Sequence, residues 1–145
     1  MSEQSDPEIH IFTLDEANAL VPRLEWIMTR MQRAGIELRR AIDAHTESFE
    51  TPPDHDEVSR WIGNQPELQE LVVELETLIG EIESHGAQFK GLDLGLVDFP
   101  AEIEGQLGLL CWQYGEKQIT HWHELEGGFS KRRPLRSARS ASYLQ

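Results

Sequence analysis

Apolar residues recur at alternating steps of four and three along the first third of the chain, which is the spacing of a coiled-coil seam. Thr13 and Glu16 form a capping-box signature at the start of this pattern, and Phe12 and Ala17 lie where a hydrophobic staple would pack. We therefore predict a long helix over about residues 14–49. The seam positions are Ala17, Val21, Leu24, Met28, Met31, Gly35, Leu38, Ile42, His45 and Phe49.

A second helical pattern follows a segment that contains paired prolines. This segment, residues 50–66, has no period of its own beyond a possible short turn around Val58 to Ile62, and it is predicted to be a connector. Asn64 and Pro66 mark a helix start, and Gly86 marks its end, so we predict a second helix over about residues 65–85. Its seam positions are Leu68, Leu71, Leu75, Leu78, Ile82 and His85.

Two heptad helices joined by a loop can bury their apolar seams against each other. The pattern therefore predicts a long antiparallel, coiled-coil-like helical hairpin. The first helix is longer than the second, so part of its seam has no partner within the hairpin. We expect a homo-oligomer, most simply a dimer, in which a second copy covers this surplus, unless the C-terminal part of the chain covers it instead.

After the second helix the pattern changes to one typical of strands. Residues 86–126 are rich in β-branched, aromatic and glycine residues, with a natural hairpin turn at 115–117, so we predict a small antiparallel sheet and an α+β fold. With a two-residue loop, the face that packs on the helices carries Leu110, Trp112, Tyr114, Ile119, His121 and His123. A loop with an odd number of residues would turn one strand over relative to the other.

His121 and His123 are the most prominent candidates for binding chemistry. Side chains at i and i+2 on one strand lie about 6–7 Å apart on the same face, so both imidazoles can bind one ion. A third ligand that is a carboxylate would suit zinc, iron(II) or manganese. The candidates for further ligands are Glu124, Asp98, Glu76, Glu83 and His85. The alternative is that both histidines are half-buried strand residues that hydrogen-bond to carboxylates and bind no metal.

Charge is distributed unevenly along the chain. The net charge is −13, yet five of the thirteen basic residues lie in the last fifteen positions, and the other 130 residues hold 8 basic and 26 acidic side chains. Such a surface repels phosphate backbones and anionic lipids, which argues against nucleic-acid and membrane binding. The basic segment 131–145 and residues 1–10 are predicted to be disordered, which leaves one domain over residues 11–130.

Cys111 is the single cysteine of the chain, which excludes an internal disulfide and any site built from several cysteines. A lone cysteine on a strand is most often inert packing, and we interpret Cys111 in that way. The HELEG stretch lacks the second histidine of the zinc-protease pattern, and no phosphate-binding loop or nucleophile elbow is present. These features favour a protein without enzymatic activity. The absence of a signal-peptide pattern and of a long apolar run predicts a cytoplasmic protein.

Three stretches of the chain carry longer motifs. They read FTLDEANALVPRL, GLVDFPAEIEGQLGLLCWQYGE, and HWHELEGGF with RPL after it. Together they resemble an uncharacterised bacterial family, the domain of unknown function DUF2203, over residues 11–135, which implies a small soluble protein without an assigned activity. Asp98 falls in the family's Val-Asp-Phe-Pro segment, and His123 and Glu124 fall in its Trp-His-Glu motif. The family usually has another residue at the position of His121, so the resemblance favours His123, Glu124 and Asp98 as metal ligands.

Overall fold

The computed structural model describes residues 9–135, which form three α-helices followed by a five-stranded antiparallel sheet. The predicted α+β class is confirmed. Residues 1–8 and 136–145 lie outside the described residues, and they make up most of the two segments that were predicted to be disordered. Among the described residues, no helix is long and apolar enough to cross a membrane. The elements are α1 (Leu14–Thr46), α2 (His55–Gly63), α3 (Pro66–Ser84), β1 (Gln88–Gly91), β2 (Leu96–Ile103), β3 (Gln106–Gln113), β4 (His121–His123), a short 3-10 helix (Phe129–Lys131) and β5 (Arg133–Pro134).

The first helix, α1, begins where the capping box predicts. The Thr13 hydroxyl accepts a hydrogen bond from the Glu16 amide, and the Glu16 carboxylate accepts one from the Thr13 amide, each at 3.0 Å. The helix ends at Thr46, shortly before the predicted end. Its fully buried side chains all lie between Ala17 and Ala34, so the last predicted turn has little packing to stabilise it.

The predicted connector contains a helix, α2, and the prediction is therefore wrong over residues 55–63. Asp54 caps this helix, because its carboxylate accepts from the Glu57 amide while the Glu57 carboxylate accepts from the Asp54 amide, both at 2.9 Å. Trp61 stacks on His45 of α1 with ring centroids 3.9 Å apart. None of the residues of α2 is fully buried, but Val58, Trp61 and Ile62 are half-buried at helical spacing, so this short helix does present one apolar face.

The helices α1 and α3 lie side by side. Arg23 of α1 donates two hydrogen bonds to the Glu81 carboxylate of α3, and Arg30 donates to Glu74 at 2.9 Å. From the first ion pair to the second, the residue number increases on α1 and decreases on α3. The two helices are therefore antiparallel at this contact. Coiled-coil packing along the whole seam and association with a second copy stay predictions.

The sheet has two faces with different surroundings. One face joins α1 and α3 in the hydrophobic core and carries Val97, Phe99, Leu110, Trp112 and Trp122. Successive side chains of a strand point to opposite sides. The face away from the helices therefore carries Asp98, Cys111, His121 and His123.

The predicted register of the histidine strand is wrong. Cys111 pairs with His121 and Leu110 with Trp122, whereas the prediction placed Leu110 on the same face as His121. Strands β3 and β4 are joined by residues 114–120, an odd-numbered loop in place of the predicted two-residue turn. An odd loop exchanges the two faces of the second strand. The histidines consequently face away from the helices, and Trp122 packs in the core.

The sheet continues past the predicted domain end at residue 130. Strand β5 pairs with β4, because His121 lies opposite Pro134 and Trp122 lies opposite Arg133. The first residues of the predicted basic tail are thus part of the sheet, which corrects the predicted boundary.

Candidate metal centre

A tight turn brings Asp98 opposite Cys111. Glu104 and Gly105 join β2 to β3 and have φ angles of 56° and 83°, the left-handed conformation that a type I′ hairpin turn requires at both central positions. Counted back along both strands from this turn, Asp98 pairs with Cys111. His123 of β4 lies on the same face of the sheet, beside this pair. The hairpin register therefore assembles three polar side chains from three neighbouring strands.

Asp98, Cys111 and His123 form a buried cluster of metal-binding atoms. A carboxylate oxygen, the thiol sulfur and an imidazole nitrogen all lie within 4.8 Å of one another. Among the described residues, no other group of three His, Cys, Asp or Glu side chains lies this close together. Nε2 of His123 is 2.9 Å from Oδ2 of Asp98. The three residues are 3%, 1% and 2% exposed in the order given. One oxygen, one sulfur and one nitrogen donor at such separations are a set that zinc binds.

Hydrogen bonding determines the tautomer of His123. Its Nδ1 lies 2.7 Å from the backbone carbonyl oxygen of Glu124. A carbonyl oxygen cannot donate, so we assign the proton to Nδ1; the Gly128 amide, 3.2 Å from Nδ1, could donate only to the other tautomer. The Nε2 atom is then directed at Oδ2 of Asp98, 2.9 Å away. A backbone carbonyl at Nδ1 is a common partner that orients a metal-binding histidine.

Burial keeps the thiol of the cluster protonated. It raises the pKa of Cys111 to about 12, and the negative charge of Asp98 and a hydrogen bond to that carboxylate act in the same direction, while Arg132 opposes them. Burial also raises the pKa of Asp98, against the lowering effect of His123. A cysteine nucleophile needs a neighbouring base or positive charge that lowers its pKa. Despite the nearby imidazole of His123 and the charge of Arg132, burial disfavours the thiolate form of Cys111 in the metal-free cluster.

The segment after β4 covers this side of the sheet and is anchored by Arg132. Nη2 of Arg132 donates to both carboxylate oxygens of Glu116, at 3.1 and 3.0 Å, and to the backbone carbonyl of Cys111 at 3.2 Å. The guanidinium also lies over the ring of Phe129, 4.9 Å from its centroid. Within the part of the chain described, Nε of Arg132 is buried without a hydrogen-bond partner. This anchor attaches the covering segment to β3 and to the loop after it.

A cavity of about 300 Å³ adjoins the cluster. Asp98, Cys111 and His123 form part of its wall. The rest of the wall consists of Lys90, Leu96, Leu125, Glu126, Gly128 and Phe129. Several of these side chains are exposed to solvent, so an ion or a small molecule can reach the buried cluster from outside.

The structure brings together two of the four predicted metal ligands. His123 and Asp98 are in direct contact, but on the face away from the helices. His121 shares that face and lies outside the cluster, with its Nδ1 2.9 Å from the hydroxyl of the preceding residue. The Glu124 carboxylate is exposed and accepts a hydrogen bond from Arg133 at 2.6 Å, so only the backbone carbonyl of Glu124 reaches the site.

The helical candidates for further ligands do not reach the cluster, because α3 packs on the opposite face of the sheet. These candidates are Glu76, Glu83 and His85. Cys111 is the cluster member that the sequence interpretation missed when it assigned this residue to inert packing. The signal that could have revealed it is the Glu104-Gly105 pair, because a two-residue turn there is enough to place Asp98 opposite Cys111.

Comparison with known proteins finds no match among curated proteins and none among solved structures. A family described as an uncharacterized conserved protein, DUF2203, matches residues 10–135. The match covers most of the chain, includes all three members of the cluster, and confirms the resemblance seen in the sequence motifs. The chain belongs to the DUF2203 family.

Proposed function

We propose that this protein binds one divalent metal ion through Asp98, Cys111 and His123. The convergence of three buried donor atoms carries the proposal. A carboxylate oxygen, a thiol sulfur and an imidazole nitrogen lie within 4.8 Å of one another. A divalent ion bound by one carboxylate and one thiolate is neutralised by these two anionic ligands, so binding leaves no uncompensated charge in the interior. The ion displaces the thiol proton to solvent, because the thiolate is the form that coordinates metal.

Zinc fits this donor set best among zinc, iron(II) and manganese. Zinc commonly takes thiolate, imidazole and carboxylate ligands in tetrahedral sites. Manganese prefers oxygen donors, and the facial triad of iron(II) uses two histidines and a carboxylate. Since His121 lies outside the cluster, the second histidine of such a triad is not in place. The alternative is a hydrogen-bonded network of the same three side chains that binds no metal.

Elemental analysis of protein purified without a metal-affinity tag tests the proposal. We expect about one zinc ion per chain. We also expect the melting temperature of the metal-free protein to rise by about 5–10 °C when free zinc exceeds its dissociation constant about 100-fold. Magnesium is the control ion, because its octahedral oxygen shell does not match these donors. No stoichiometric metal, together with an unchanged melting temperature in zinc, manganese and iron(II), would establish the hydrogen-bonded network instead.

A second proposal concerns association of two copies through the C-terminal half of α1. Ile36 of α1 is 53% exposed, and Phe49, just after the end of the helix, is 43% exposed. A groove of about 600 Å³ runs beside Ile36, Ile42 and Leu75. An exposed apolar surface of this kind is one that a second copy would bury.

Charge complementarity supports a second copy as the occupant of this groove. Arg39 and Arg40 border it on α1, whereas Glu67, Glu70 and Glu74 border a separate groove along α3. Two antiparallel copies could place the basic border of one against the acidic border of the other. Light scattering after size-exclusion chromatography should give twice the chain mass of 16.6 kDa. A monomer throughout the micromolar range would contradict the dimer.

A further inference from the structure

The proposed metal centre has fewer protein ligands than zinc takes. The donor atoms that converge within the described residues are those of Asp98, Cys111 and His123. Zinc is usually four-coordinate, and sites with three protein ligands keep the fourth position for water or a substrate. The cavity of about 300 Å³ lies against all three side chains. An exchangeable ligand would therefore enter from this cavity.

We propose that the fourth coordination position takes a small carboxylate with an apolar body, and that Lys90 assists the metal in holding the carboxylate. The inference rests on the proposed metal binding. Leu96, Leu125 and Phe129 give the cavity apolar walls against which such a body can pack. The cavity volume is at the lower end of the range for ligand pockets, so the body is limited to about one ring or a short branched chain.

An irregularity in β1 positions Lys90. The pairing of β1 with β2 shifts between Phe89 and Gly91, which leaves Lys90 as the extra residue of a β-bulge. Bulges redirect side chains and are frequent beside binding and active sites. Lys90 lines the cavity, and its positive charge acts on Asp98. The bulge therefore places Lys90 on the wall of the cavity beside the cluster and keeps both of its neighbours paired with β2.

The charges at the cavity determine which ligands it accepts. A divalent ion with one thiolate and one carboxylate ligand has no net charge, so the charges of nearby residues matter, and those on the cavity wall outside the cluster are Lys90 and Glu126. The metal itself favours an anionic oxygen donor over a neutral amide. Lys90 should attract a carboxylate and Glu126 should repel it, so substitutions at these two positions should shift affinity in opposite directions.

Cobalt(II) in place of zinc gives a visible spectrum that reports a change of coordinated ligand. Phenylacetate serves as the probe, and phenylacetamide serves as its uncharged match. We expect phenylacetate to change the spectrum of the cobalt-loaded full-length protein in a saturable way, and phenylacetamide to leave it unchanged at the same concentrations. Calorimetry should show that the metal-free protein binds neither compound.

Three single variants separate a rim contact from a general charge effect. Lys90→Gln should weaken phenylacetate binding roughly three- to tenfold, and Glu126→Gln should strengthen it. Lys117→Gln, which removes an exposed charge away from the cavity, should leave it unchanged. If cobalt binds but phenylacetate has no effect, or if Lys90→Gln and Lys117→Gln behave alike, the inference is wrong and the metal proposal stands. If neither cobalt nor zinc binds, the metal proposal itself fails.

Discussion

Replacing Cys111 or His123 should abolish tight zinc binding, whereas replacing His121 should leave it intact. Cys111→Ser removes the sulfur donor while keeping a side chain of similar size, and His123→Ala removes the nitrogen donor. Loss of a group that only supports a ligand lowers metal affinity about 10- to 100-fold. Loss of a ligand itself is therefore expected to lower zinc affinity more than about 100-fold, as measured by competition with a chelating zinc indicator.

His121→Ala is the matched control, because it removes an imidazole from the same short strand and the same face of the sheet. His121 lies outside the cluster and is half-buried, so its loss should change zinc affinity by less than about threefold. Circular dichroism of each metal-free variant would confirm that it remains folded. Wild-type zinc affinity in Cys111→Ser would remove the thiol from the ligand set.

Replacing Asp98 with asparagine should stabilise the metal-free protein and remove zinc binding. Burial raises the pKa of Asp98 above that of the unfolded chain. The contribution of this carboxyl group to the free energy of unfolding is therefore most favourable at low pH, and it is lost as the pH rises through the folded-state pKa. The asparagine side chain has nearly the same shape and bears no charge, and its amide can donate to Nε2 of His123. The gain in melting temperature over the wild type should be absent in acid and grow as the pH rises.

Asp93→Asn is the matched control, because it makes the same change of charge at an exposed position between β1 and β2. Thermal unfolding from pH 4 to pH 8, with and without zinc, measures both the pH dependence of the melting temperature and its rise on zinc binding. Zinc should raise the melting temperature of the wild type and of Asp93→Asn but not that of Asp98→Asn. A metal-free Asp98→Asn protein that is less stable than the wild type at pH 8 would show that the buried carboxylate contributes favourably on its own.

Local sequence signals predicted the long elements well. The capping box at Thr13 fixed the start of α1, and the predicted helix over about residues 65–85 corresponds to α3, Pro66–Ser84. The short helix α2 escaped prediction although it carries the same kind of signal, a capping box of Asp54 and Glu57 followed by apolar residues at helical spacing. The paired prolines before it favoured a connector, and nine residues are too few for the spacing to repeat.

The candidate site was predictable in part. Asp98 and His123 were both named from the sequence, but the face on which they meet depends on the length of the loop over residues 114–120. This stretch looks locally like a tight turn. It is held as a wider loop by Glu116, which accepts hydrogen bonds from the nearby Gln113 amide and from Arg132, sixteen positions away. Cys111 was missed for a different reason, because its place opposite Asp98 follows from the Glu104-Gly105 turn, which the sequence interpretation did not use.

X-ray absorption spectroscopy at the zinc edge tests the central claim most directly, using tag-free protein loaded with one equivalent of zinc. We expect one sulfur scatterer at about 2.3 Å, with nitrogen and oxygen scatterers at about 2.0–2.2 Å, one of them an imidazole. The sulfur contribution should disappear in Cys111→Ser. A wild-type spectrum with nitrogen and oxygen neighbours alone, identical to that of Cys111→Ser, would contradict a metal centre built from Asp98, Cys111 and His123.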